Sequence, residues 1–379
     1  MKISKIIIGI IVLAVVVWGG VKLFGTKKEK TREPIKIGVI FPLTGNNASY
    51  SEKFTRGLFL ARDEINENGG IDGKKIELII EDGMADPAKS ITAYQKLRQE
   101  HKDISVIISA FSSVILALSP LSNNDHIVLM NPVASSANLS QAGDYEFNVM
   151  PLMTLTVNKL VDYVANVENY NTVAVIYVNT DFGRSGHDIF KKKFESMGGK
   201  IVAEESYIDG DTDMRTQLSK IKQSNPQAIY LATTGKSGGL IIKQIGELGI
   251  KAKLFSTDGI EAPETILIGG QVSENLTYIS PAFDVKNDDP VVKKFVESFQ
   301  VKFGSLPEVY AANNYDTLKL ISLAVKKVGN SGEVIKNYLY SVKDYKGVSG
   351  DLSFDENGDV IKPMIIKKIQ NGQFVKYEE

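Results

Sequence analysis

The stretch Lys36-Ile37-Gly38-Val39-Ile40-Phe41-Pro42-Leu43-Thr44-Gly45, continued to Pro87, decides the fold. Lys36 to Phe41 reads as a buried strand and Pro42 to Gly45 as a turn. After Tyr50-Ser51 a helix follows in which Phe54, Leu58, Ala61 and Ile65 fall on one face. Asn68-Gly69-Gly70 stops that helix, since glycine accepts the left-handed backbone of a helix end at no steric cost. Ile76 to Ile80 is a second apolar strand, running into Glu81-Asp82. A strand, a crossover helix and a strand make the opening unit of a parallel α/β sheet. Ligands on such sheets bind at the carboxyl ends of strands, and those ends are where candidate residues are sought.

Strand and helix patterns alternate through most of the chain with no short repeat or low-complexity tract. Strands are expected at 105–109, 127–130, 172–178, 200–204, 228–232, 254–256 and 276–279. Helices are expected at 88–101, 155–167, 186–197, 213–224, 239–248, 290–303 and 312–328. Towards the end the pattern changes to 351–354, a turn at Asp355-Glu356-Asn357-Gly358, and strands at 364–369 and 374–377, an antiparallel tail.

With 379 residues, 43% hydrophobic and 23% charged, the chain can build more than one core, and two lobes are expected. Its 44 Lys and Arg nearly cancel 45 Asp and Glu, so nothing in the charge favours a nucleic-acid partner. There are 0 cysteines, which excludes disulfides, thiolate nucleophiles, thiolate metal sites and a lipid-modified cysteine. Lys2 and Lys5 precede an almost wholly apolar run from Ile6 to Val21, followed by Lys27, Lys28, Lys30 and Arg32. This is an export segment, either a retained helical anchor or a cleaved signal, and both readings place the rest outside the cytoplasmic membrane.

Gly38 to Gly45, Asn68-Gly69-Gly70-Ile71-Asp72-Gly73, Glu81-Asp82 before Asp86-Pro87, and Asn131-Pro132-Val133-Ala134-Ser135-Ser136 come in an order and spacing with a known counterpart. Together they resemble the branched-chain amino-acid-binding proteins, the type I periplasmic binding proteins that feed ABC importers. The resemblance runs from Pro34 to about Gly372. It implies two doubly wound parallel-sheet lobes joined by three hinge crossings, near Pro151, Pro281 and Val348, behind an N-terminal hydrophobic helix. Residues 1–33 are then anchor and linker. Residues 34–150 and 282–347 form one lobe, and 152–280 and 348–379 the other. The lobes close on a ligand by hinge motion, and ABC permease subunits recognise the closed monomer.

A free amino acid presents a carboxylate, an ammonium and a side chain. Its receptor needs donors, an anion and an apolar or aromatic wall. Ser112 and Ser113 follow a strand and precede an apolar helix, where a hydroxyl and free amide groups can seat a carboxylate, although serines there also simply cap helices. The resemblance assigns the carboxylate to Ser112 and Ser135, with the Val133 and Ala134 backbone beside them. It assigns the ammonium to Asp258 in Ser256-Thr257-Asp258-Gly259, a pair that on residue type alone reads as a turn. Tyr50 and Phe182 match aromatic wall positions, and Thr234 and Tyr310 match further lining positions. Phe111 stands beside the position where well-known members carry a cysteine. Thr234 replaces an aromatic of the leucine-binding members, so side-chain preference does not carry over.

Other signals point nowhere. Thr233-Thr234-Gly235-Lys236-Ser237 has Tyr230 where a phosphate-binding loop needs glycine. Asp355 to Asp359 is followed by Val360 where a calcium loop needs glycine, and reads as a hairpin turn. The 3 histidines, His101, His126 and His187, form neither a triad nor a metal set, and Lys191-Lys192-Lys193 is a solvated helix face. No cofactor, metal or catalysis is expected. The leading expectation is an importer's solute-binding protein for an amino acid with an apolar side chain. The alternatives are a membrane-anchored sensor of the same fold and, in reserve, an enzyme on a similar sheet.

Overall fold

The computed structural model describes residues 32–377. The expected export helix at Ile6 to Val21 lies outside them. No helix among the described residues is long and apolar enough to cross a membrane.

The opening unit forms as its sequence pattern requires: β1 (Ile35–Phe41), α1 (Ala48–Glu67) and β2 (Ile76–Asp82). It continues through α2 (Pro87–Glu100), β3 (Val106–Ser109), α3 (Ser112–Asp125), β4 (Val128–Asn131) and β5 (Glu146–Asn148). Local chemistry marks the boundaries. Gly69 and Gly70 at φ 91° and 71° follow α1. The Asp86 carboxylate accepts the Lys89 N–H at 2.8 Å to cap α2, with Pro87 as the first helical residue. These five strands form one parallel sheet in the order β2-β1-β3-β4-β5.

The second sheet repeats that winding. It is built from α4 (Met153–Asp162), β6 (Thr172–Val178), α5 (Asp181–Ser196), β7 (Lys200–Tyr207), α6 (Arg215–Ser224), β8 (Ala228–Ala232), α7 (Gly235–Glu247), β9 (Lys253–Thr257), α8 (Pro263–Gly269) and β10 (Thr277–Pro281). The chain then returns to the first sheet with α9 (Pro290–Phe303), α10 (Val309–Val328), α11 (Gly332–Tyr340) and the hairpin β11 (Tyr345–Gly347) to β12 (Gly350–Leu352). Finally β13 (Met364–Gln370) and β14 (Gln373–Lys376) add to β10, giving β14-β13-β10-β9-β8-β6-β7 with antiparallel pairing only at β10-β13 and β13-β14.

Each sheet is covered on both faces, which is why its strands read as continuous apolar runs. Val39 and Phe41 of β1 face α1 and the returning helices, whereas Ile40 faces α2 and α3. In the second sheet Ala174 and Ile176 face α6 and α7, whereas Val173 and Val175 face α4 and α5. Helices α1 and α10 approach closely at Gly57, where a Cβ would come within 2.1 Å of the Ala311 carbonyl oxygen.

Several elements differ from the sequence expectation. Helix α3 begins at Ser112, so Ser112 and Ser113 lie in its first turn, and Phe111 is the capping residue. The helix expected over 155–167 ends at Asp162 and finishes as a π-turn over Tyr163–Val167. Strand β5 and helix α11 are too short to be legible as periodic runs. Segment 351–354 does not join the antiparallel tail. Leu352 and Phe354 are buried in the first sheet's core, with the Phe354 ring 5.3 Å from that of Phe147. Val348 and Val360 are buried in the same core, and the chain reaches the second sheet at Met364.

Candidate functional site

Both sheets aim the carboxyl ends of their strands at one cavity of about 90 Å³, enough for a small molecule and not merely one water. Its lining contains all nine residues singled out from the sequence: Tyr50, Ser112, Val133, Ala134, Ser135, Phe182, Thr234, Asp258 and Tyr310. Tyr50 comes from α1, Ser112 follows β3, Val133 to Ser135 follow β4, Phe182 follows β6, Thr234 follows β8 and Asp258 follows β9. Tyr310 arrives on α10 from far along the chain.

The wall is aromatic. The rings of Tyr50 and Tyr310 meet edge to face at 6.4 Å, Tyr50 and Phe111 at 6.1 Å, and Phe54 lies 5.6 Å from Tyr310. The Phe111 backbone takes φ 70° and ψ 127°, a conformation that a bulky residue holds only when its surroundings impose it. Gly235 is required beside Tyr50, because a Cβ there would sit 2.6 Å from the Tyr50 hydroxyl.

The polar groups divide by sign. Ser112 is buried and its Oγ accepts the Ser136 N–H at 3.2 Å, which leaves its own O–H free to donate. Ser135 is buried beside it. At the start of α3 the Ser112 and Ser113 amides have no carbonyl within the helix to bond, whereas the Val114 N–H already bonds the Phe111 carbonyl at 3.0 Å. Opposite, Asp258 is 3% exposed and accepts the Tyr310 hydroxyl at 3.2 Å. Burial pushes the Asp258 carboxyl up to about 7, against the bond from Tyr310, and the nearby Glu261 charge adds to the rise. Burial likewise raises the Tyr50 and Tyr310 hydroxyls, so both stay neutral donors. The described lining residues include Asp258 and Asp209 but no Lys, Arg or His. A ligand anion would therefore rest on hydroxyls and amides, and a ligand cation would relieve a desolvated carboxylate.

Sequence reasoning did not single out Asn47, Phe54, Ala85, Val178, Thr180, Asp209 or Gly259 as lining residues. Phe54 reads as one of several core positions on the α1 face, and nothing in it marks the one facing a ligand. Asn47 donates to Asp209 Oδ2 at 3.3 Å across a sequence gap of 162, a pairing without a linear signal. The Thr233 to Ser237 segment serves as the start of α7, and Asp355 accepts the Asn357 and Asp359 N–H groups as a turn residue. Among the described residues no group of three or more His, Cys, Asp or Glu is placed to hold a metal.

Comparison with known proteins agrees with this architecture. Residues 34–373 match the periplasmic binding protein family. A Leu/Ile/Val-binding protein homolog of Brucella suis is 28% identical over 97% of both chains. Among solved structures, a leucine-binding protein of Thermotoga maritima superposes with a TM-score of 0.84 at 25% identity, covering 91% of this chain and 98% of its own. The branched-chain amino acid transporter substrate-binding protein of Streptococcus pneumoniae, solved with isoleucine, gives 0.82 at 28% identity, covering 91% of this chain and 100% of its own.

Proposed function

Because this chain belongs to the periplasmic binding protein family, we propose that it captures a free amino acid with a branched or otherwise apolar side chain for an ABC importer. One observation carries the reading. Hydroxyls at the end of β3 and β4 and an unneutralised acid at the end of β9 face one cavity walled by aromatic rings. That arrangement complements a zwitterion with an apolar side chain, and it matches the leucine, isoleucine and valine named for the relatives. Ser112 and Ser135 hold the carboxylate, with the Val133 and Ala134 backbone. Asp258 holds the ammonium. Tyr50, Phe182, Thr234 and Tyr310 bound the side chain.

The family operates outside the cytoplasm, and the protein acts there, held by its N-terminal apolar segment. The first lobe comprises 34–150 and 282 to about 360, and the second 152–280 and the end of the chain. The crossings lie near Pro151 and Pro281 and between Val360 and Met364. Burial of Val348, Leu352, Phe354 and Val360 in the first core supports moving the third crossing beyond Val348. Closure about these connections traps the ligand, and the closed form is the one presented to the permease. Calorimetric titration of residues 32–379 with each common L-amino acid tests the reading. Binding of at least one aliphatic amino acid is expected, and a flat response across the panel refutes it.

A further inference from the structure

The loop Pro132 to Ser135 forms one wall of the cavity, and two buried polar chains run from it to a single distant segment. Asn131 is fully buried and uses its whole side-chain amide: Oδ1 accepts the Val133 and Ala134 N–H groups at 3.1 and 2.7 Å, and Nδ2 donates to the Ala134 carbonyl at 2.9 Å and to Asn148 Oδ1. Asn148, also fully buried, spends its two N–H groups on Glu146 Oε2 at 2.8 Å and Asp359 Oδ1 at 2.7 Å. With every donor and acceptor committed, neither amide can turn over without stranding a buried polar atom.

The second chain starts at the Pro132 carbonyl, which accepts from Asn313 Nδ2 at 3.1 Å. Asn313 Oδ1 accepts the Lys362 ammonium at 2.8 Å, and the same ammonium donates to Ser349 Oγ at 2.8 Å. Ser349 in turn donates to Asp316 Oδ2 at 2.5 Å. Lys362 is only 4% exposed, so burying its stem and head needs these partners. Both chains thus reach the stretch Asp359 to Lys362, which leaves the first core at Val360 and leads into β13 at Met364, the second going on from Lys362 through Ser349 to Asp316.

We propose that Asn131, Asn313 and Lys362 are positioning residues that hold the Pro132–Ser135 wall in its ligand-receiving form and tie it to the connection between the two sheets. None of the three lines the cavity, and each acts through the loop. The consequence for ligand affinity rests on the amino-acid reading above, whereas the consequence for the loop does not.

Hydrogen–deuterium exchange of the ligand-free protein measures the loop, and calorimetry with L-isoleucine measures the site. Lys362→Met removes the ammonium at similar volume. It should speed exchange of the 131–136 amides and weaken isoleucine binding, each by about tenfold, the size of one lost hydrogen bond. Lys362→Gln, which keeps an N–H donor, should recover part of both. Gln244→Ala is the control: Gln244 is buried on α7, bonds Met214 N–H and the Thr212 carbonyl, and should destabilise the fold without altering the 131–136 amides. Asn313→Ser breaks the same link and replaces Lys362→Met if that variant does not fold. Unchanged exchange at 131–136 in a folded variant, or equal acceleration in Gln244→Ala, overturns the proposal. If wild-type protein binds no amino acid of the panel, the amino-acid reading is what fails, and the exchange result still decides the role of the relay. If it binds another aliphatic amino acid and not isoleucine, that ligand replaces isoleucine in the titrations.

Discussion

Replacing Asp258 by Asn should make the ligand-free protein more stable and the site worse, and the size of the first effect follows from burial. In the unfolded chain this carboxyl titrates near its ordinary value of 3.8, and in the folded, ligand-free protein burial raises it to about 7. Below the unfolded value both states are protonated and the group costs nothing. As pH rises from about 4 to 7 the unfolded chain releases a proton that the folded protein retains, so stability falls across that window and then levels. A rise of about three units at 1.36 kcal/mol each is a cost of roughly 4 kcal/mol, fully present at pH 8. Asparagine escapes it while still accepting the Tyr310 hydroxyl. At about 2 cal/mol/K per residue of unfolding entropy, a chain of this size should gain roughly 5 °C in Tm. The assay is thermal unfolding of both proteins at several pH values, without ligand and with excess isoleucine. The variant should melt higher at pH 8, by less than half that margin at pH 5, and saturating ligand should reverse the order, because only the wild type pairs with the ammonium. In calorimetry the variant should lose ~2 to 5 kcal/mol of binding. A Tm difference that does not change with pH, or an unchanged affinity, would refute the account of Asp258 as a desolvated acid awaiting a cation.

Three further outcomes are expected. Ser112→Ala should weaken isoleucine about tenfold by removing a donor from the carboxylate seat, and should also lower stability by about 1 to 3 kcal/mol because the buried Ser136 N–H loses its acceptor; calorimetry at fixed pH and thermal unfolding check the two effects. Phe111→Gly frees a backbone at φ 70° and opens the aromatic wall, so affinity for phenylalanine relative to isoleucine should rise about tenfold; an unaltered ranking in competition titrations would remove Phe111 as a boundary of the site. Gly57→Val should lower stability by more than about 3 kcal/mol in denaturant unfolding, since its side chain would drive α1 from the Ala311 carbonyl on α10.

Much of the molecule was legible because its signals are local. The apolar runs of β1, β6 and β8, the glycines after α1 and the Asp86-Pro87 cap each act within a few residues, and their alternation dictates parallel sheets covered on both faces. Strand ends marked where to look, and the family resemblance, not residue type, picked out Ser112, Ser135 and Asp258 there. Short elements such as β5 and α11 escaped, since three to nine residues carry too few periods to stand out.

Order of elements and the parallel opening unit were therefore determined by sequence alone, through backbone preferences and hydrophobic periodicity that operate at short range, whereas the two-lobed winding and the strand-end residues came from the family resemblance. Tertiary structure alone decided that Tyr50 and Tyr310 share a wall, that Asp258 lies dry enough to hold its proton near neutrality, and that Lys362 reaches the Pro132–Ser135 loop through Asn313. Those properties arise from what packs against a residue. A carboxylate or an ammonium in a linear chain shows nothing of the water that folding will take from it or the partners that folding will supply.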